Sequence, residues 1–158
     1  MEVVDLSEHA GALLAAAANK LIWHVGYGGG AGATFSLSMG DRIARGVPLK
    51  SDGDPIFQRY QGEFAVYAWA PWTLRTATAF FRSDVDEHVA ELEILRGSRL
   101  ASLTVTSGGE LHIVADGVEV SVTAASEIDD AWELVTPAGE LVMTTRGQLI
   151  ELPADARG

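Results

Sequence analysis

The chain has 158 residues and 16.8 kDa, with 47% apolar and 21% charged residues, enough to bury the core of one globular domain, 1–158, without covalent staples. Zero cysteines exclude a disulfide framework, thiolate catalysis and any Cys-ligated zinc or iron–sulfur site. Eleven Lys and Arg against 22 Asp and Glu leave a net charge of -11, a field that repels phosphate backbones and anionic membranes and favours cationic partners.

The start, Met1-Glu2-Val3-Val4-Asp5, is acidic where a secretory signal needs positive charge. No apolar run approaches the roughly 18–20 residues that span a bilayer as a helix. A cytoplasmic protein with no membrane partner is the expectation. Ser7 is placed to cap a helix over about residues 8–20, with Leu13, Leu14, Ala17, Ala18 and Leu21 on one face. Strands follow at Leu21–Val25 and Ala33–Met39, where Phe35, Leu37 and Met39 alternate.

Between those strands lies Gly26-Tyr27-Gly28-Gly29-Gly30-Ala31-Gly32, which imitates a dinucleotide fingerprint. The period-two pattern after it supplies no helix N-terminus for a pyrophosphate, so the loop reads as a hairpin connection. Residues 41–60 are polar and punctuated by Gly46, Pro48, Gly53 and Pro55, and read as a long connection. Gly62–Ala70 returns to strand character, with Phe64, Val66 and Ala68 on one face and Tyr67 and Trp69 on the other. Pro71 interrupts it, and Trp72–Phe81 continues as a bent strand or the start of a hairpin.

Asp84 and Glu87 have the spacing of a capping box, and Val85, Val89, Leu92 and Leu95 then follow helical spacing up to Gly97. This predicts one short middle helix. From about 100 to 152 the chain repeats: Thr106, Gly109, Glu110 and Leu111 recur as Thr136, Gly139, Glu140 and Leu141, and Gly117 as Gly147, all offset by thirty. Two similar β-meanders in one antiparallel sheet or partial barrel are expected. The fold class predicted is α+β, an antiparallel twisted sheet or partial barrel of about seven to nine strands with an N-terminal helix and the middle helix packed on it.

Catalytic and metal motifs are sparse. Glu87-His88-x-x-Glu91 has carboxylates one turn apart, but no second His-carboxylate pair completes a ligand set, and His9, His24 and His112 read as isolated. Asp52 with Asp54, and Asp129 with Asp130, read as turn acids, and no Gly-x-Ser-x-Gly elbow is present. No cofactor and no catalytic residue is assigned. Eight of the twelve aromatics fall between Phe57 and Phe81, and with almost no lysine beside them they favour core packing or a protein interface over nucleic acid.

Ser38-Met39-Gly40, Gly62-Glu63, Trp72-Thr73-Leu74, Leu95-Arg96-Gly97 and Leu111-His112-Ile113 together resemble the motif order of a family of small bacterial cytosolic proteins with no established activity. Thr73 stands where that family carries Arg, and Met39 where it carries Phe. The resemblance implies an α+β fold and transfers no catalytic residue. A weaker analogy of size and charge links the chain to immunity partners of bacterial toxins. The function expected is therefore a non-enzymatic acidic module that binds a basic protein. Asp84, Asp86, Glu87, Glu91 and Glu93 would steer the partner, and Tyr67 and Trp69 would anchor it. The alternatives are a small-ligand protein or enzyme with a pocket between sheet and helix, and a homo-oligomer built on its own aromatic face.

Overall fold

The computed structural model describes residues 6–27, 34–49, 54–124 and 130–154, the side chain of Asp86 excepted. The Gly28–Gly32 part of the glycine loop, Asp52 and Asp129 lie outside the described residues. Ser7 caps the first helix, α1 (Glu8–Ala16), as its hydroxyl accepts from the Ala10 amide at 3.0 Å. The helix ends before the expected residue 20, because Asn19 turns at φ 68 and its amide donates to the Leu100 carbonyl.

Strands β1 (Ile22–Tyr27) and β2 (Phe35–Ala44) lead to a short helix, α2 (Pro55–Arg59), and then to β3 (Tyr60–Ala68), β4 (Trp72–Arg75) and β5 (Phe80–Arg82). A 3-10 helix (Asp86–Leu95) precedes β6 (Leu100–Val105), β7 (Leu111–Ala115), β8 (Val118–Val122), β9 (Trp132–Thr136), β10 (Gly139–Met143) and β11 (Leu149–Pro153). The connection expected at 41–60 thus contains the end of β2 and all of α2. The long strand expected at Trp72–Phe81 is the β4–β5 hairpin.

The middle helix forms as 3-10 turns, and the expected capping box does not. Val85 is its N-cap and makes no side-chain cap bond, while Asp84 turns back to Arg82. Its apolar residues are compatible with the tighter winding. Val89, Leu92 and Leu95 recur at a spacing of three, which three residues per turn place on a single face, and Leu92 and Leu95 are fully buried.

All strand pairs are antiparallel, in a six-stranded sheet ordered β1-β2-β3-β9-β10-β11 and a five-stranded sheet ordered β5-β4-β8-β7-β6. The chain crosses between them at Pro71, where a proline cannot continue a ladder. One cluster of buried side chains draws on both sheets, with Leu37, Val66 and Trp132 from the first and Leu74, Ile113 and Val120 from the second. The fold is α+β, and the described residues form no closed barrel. An isolated Leu21–Arg99 bridge ties the start of β1 to the start of β6 without joining the sheets into one.

The thirty-residue offset lays β6, β7 and β8 onto β9, β10 and β11, so each copy is a three-stranded meander. The two copies belong to different sheets, not to one as expected. Hairpin geometry is decided locally, whereas sheet membership depends on the flanking strand, which is β4 for β8 and β3 for β9.

Two motif glycines meet at a bulge in β2. Gly40 takes φ 79, and the register against β3 shifts between Met39 and Arg42. Glu63 accepts from the Asp41 amide at 3.2 Å and pairs with Lys20 at 3.2 Å, closing the bulge. Opposite, a Cβ on Gly62 would lie 2.7 Å from the Phe64 carbonyl oxygen and 2.8 Å from the Met39 nitrogen, both rigid backbone. Gly62→Ala is expected to lower unfolding free energy by about 2 kcal/mol through this overpacking. Gly46→Ala, at a site with nothing within 4 Å, should change stability by less than about 0.5 kcal/mol. Urea unfolding of both variants checks the contrast.

Candidate functional site

The densest polar constellation lies where β1, α2 and the end of the 3-10 helix meet. A register shift between Ile22 and His24 interrupts β1, and His24 stands opposite Ser38 on the face of the sheet turned from the core. Asp54 caps α2, and its Oδ1 accepts from the Ile56 and Phe57 amides at 3.0 and 3.4 Å. Its Oδ2 lies 3.0 Å from His24 Nδ1, with the ring N–H as donor, and 3.5 Å from Arg96 Nη1. The Phe57 ring stacks on His24 at 3.8 Å with planes 5° apart, and the Arg45 guanidinium covers its other face at 4.5 Å.

Arg96 is the hub. It grips Glu93 through Nε at 2.8 Å and Nη2 at 3.1 Å, and donates to the Trp23 and Val25 carbonyls at 3.3 and 3.1 Å. These bonds hold the 3-10 helix against β1. Gly97, at φ 85, lets its own amide reach the Ile22 carbonyl at 2.7 Å.

The titrations follow from this geometry. Partial burial pushes the Asp54 carboxyl up, but hydrogen bonds from His24 and the Phe57 and Ile56 amides outweigh it and leave the group below its ordinary value. The Arg96 hydrogen bonds pull Glu93 down against its partial burial, helped by the guanidinium charge and the Tyr27 hydroxyl. Burial and the bond to Glu93 raise the Tyr27 phenol. The His24 side chain is only 4% exposed, beneath Phe57, so the imidazole serves to fasten α2 to the sheet.

The residues expected to bind a partner divide into three sets. Asp84, Glu87 and Glu91 are exposed in and just before the 3-10 helix, and Asp84 forms a 2.8 Å ion pair with Arg82. Among the described residues Glu87 and Glu91 have no ion pair. Asp86 opens the same helix. Glu93 is held inside the Arg96 network. Tyr67, on the face of β3 opposite core-facing Val66 and Ala68, and Trp69, just past the end of that strand, are half-buried and stack at 6.0 Å with planes 18° apart. The acidic helix instead sends Leu92 and Leu95 into the core, so the described contacts do not join the aromatic pair to it.

Sequence reading missed His24, Asp54, Phe57 and Arg96 as a unit. Asp54-Pro55 carries the N-cap and N1 signature of a helix and was legible. The pairing of Asp54 with His24, thirty residues away, leaves no local trace. Among the described residues no group of three or more histidines and carboxylates is placed to hold a metal, and no helix is long and apolar enough to cross a membrane.

A groove of about 440 Å³ runs between α1 and β6, in the helix–sheet position where the small-ligand reading expects a pocket. Its walls are mainly apolar, with Leu6, Leu14 and Ala18 on one side and Leu103 and Val105 on the other, and among the described residues no titratable side chain lines it. No protein-family model, curated protein or solved structure matches the chain.

Proposed function

We propose that the protein is a non-enzymatic binding module for a basic protein partner. The observation that carries this reading is the set of exposed carboxylates around the 3-10 helix, Asp84, Glu87 and Glu91, in a chain whose net charge is -11. Glu87 and Glu91 carry no ion pair among the described residues, while Asp84 is paired with Arg82, and a cationic surface that covers the unpaired carboxylates relieves the repulsion between like charges. Long-range attraction of this kind acts chiefly on the association rate and is screened by salt.

The test is capture from the native host's lysate at low and moderate salt, with the wild type beside Asp84→Asn/Glu87→Gln/Glu91→Gln. A stoichiometric basic protein should be retained at low salt and released as salt rises. The triple variant should associate about tenfold more slowly at low salt, with a flatter salt dependence. Identical capture by the variant, or a partner indifferent to salt, would overturn the electrostatic reading. A basic toxin, with this chain as its immunity-type inhibitor, is the partner class that the charge and size suit best.

A further inference from the structure

We infer that β6 and the groove beside it form a docking edge for an extended peptide segment of a cationic partner, which adds as a strand and places two apolar side chains against α1. The inference rests on the binding-module reading and gives it a contact mode. Among the described residues β6 is the last strand of its sheet, with β7 on one side only. Its other side is already paired at the beginning, where the Leu100 amide donates to the Lys20 carbonyl at 2.9 Å and the Asn19 amide to the Leu100 carbonyl at 2.7 Å. Beyond Leu100 the chain leaves this line into α1, and the groove opens along Ala101–Val105.

The backbone makes this a strand site. Thr106 N–H donates to the Glu110 carbonyl at 2.9 Å, so that pair faces across the hairpin. Antiparallel ladders alternate, so Thr104 and Ser102, opposite His112 and Val114, also turn their bonds to β7. Leu103 and Val105 then aim their N–H and C=O groups away from β7. Among the described residues no group bonds them on that side. An aliphatic compound would fill the groove and leave these groups unmatched, whereas an extended backbone satisfies both the groups and the groove.

A guest strand running antiparallel to β6 prolongs the line of residues 19–22. Guest residues opposite Leu103 and Val105 share their side of the sheet and turn toward Leu14 and Ala18. The volume of about 440 Å³ suits a short apolar peptide stretch. Glu8 stands two residues after groove-lining Leu6, and Glu110 lies in the turn after Val105. Together with the net charge of -11, they select lysine or arginine beside the apolar pair.

The probe is acetyl-Lys-Lys-Val-Thr-Val-Ser-amide, titrated into the full chain with amide exchange followed by NMR. At saturation the Leu103 and Val105 amides should exchange about tenfold more slowly, and N-methylation of both valines should weaken binding about tenfold. Ala15→Trp, which fills the groove from the exposed face of α1, should abolish binding and leave the unfolding midpoint near that of the wild type. Equal affinity for the N-methylated peptide would overturn strand addition in favour of an apolar-compound site. No binding, with both amides exchanging freely in a monomer, would overturn the docking edge outright.

Protection of the two amides in the free monomer, lost on deleting residues 1–5, would assign the groove to the chain's own first residues. The same protection in a sedimenting dimer would assign it to a second copy. Either result overturns the proposal. A basic partner captured in a salt-dependent way that leaves these amides unprotected would overturn this edge alone and leave the binding-module reading standing. Binding of the peptide with its lysines replaced by glutamine at undiminished affinity would retain the edge and overturn the cationic partner.

Discussion

Trp132→Ala is expected to be among the most damaging single substitutions in the protein, costing about 4 kcal/mol or more of unfolding free energy. Trp132 is fully buried in β9 and faces the core shared by the two sheets. Its indole N–H donates at 3.0 Å to the Gly109 carbonyl in the β6–β7 turn, so one side chain fastens the six-stranded sheet to the five-stranded one. Truncation opens a large cavity and strands a buried carbonyl. The second effect alone costs about 1–3 kcal/mol. Trp132→Phe separates the two terms: it keeps most of the ring volume and removes the donor, and should cost about half as much. Urea unfolding followed by far-UV circular dichroism measures both. A loss below about 1 kcal/mol for the alanine variant would mean that the indole does not join the sheets.

Arg96→Met is expected to cost about 2–3 kcal/mol, less than a fully buried charge network would, because the Arg96 side chain is 37% exposed and water screens part of the interaction. Methionine keeps much of the aliphatic stem but leaves the Trp23 and Val25 carbonyls without this donor and Glu93 without its partner. The pH dependence distinguishes this account from a packing defect. Asp54 and Glu93 are held below their ordinary values in the folded protein. Their contribution is therefore complete above the unfolded-chain values near about 4 and fades as pH falls through the lower folded values. The wild-type urea midpoint should decline between about pH 5 and pH 3. In Arg96→Met that decline should be shallower, because the main cause of the Glu93 shift has gone. The raised Tyr27 phenol acts in the opposite sense, and its contribution is lost as pH rises beyond the ordinary tyrosine value near about 10. Parallel pH profiles for wild type and variant would overturn the assignment of Arg96 as the hub.

Much of the fold is legible in the sequence because its signals are local. The Ser7 cap, the alternation of Phe35, Leu37 and Met39, and the opposite faces of Val66 and Tyr67 depend on residues within a few positions of one another. The recurrence of Val89, Leu92 and Leu95 marks the buried face of the middle helix but does not separate 3-10 from α winding, which only the structure decides. The thirty-residue repeat likewise announces two meanders.

Composition and short-range pattern thus determined the acidic field, the antiparallel α+β class and the order of most elements. Only the tertiary structure decided that the two meanders join different sheets, since a strand carries its face preference in its own residues but not the identity of its neighbour. Only the tertiary structure set Asp54 against His24 and Arg96 against the β1 carbonyls. Such contacts join residues tens of positions apart, and their energy exists only after the core has brought those positions together. The edge position of β6 among the described residues is of the same kind, because it depends on which strands pair beside it.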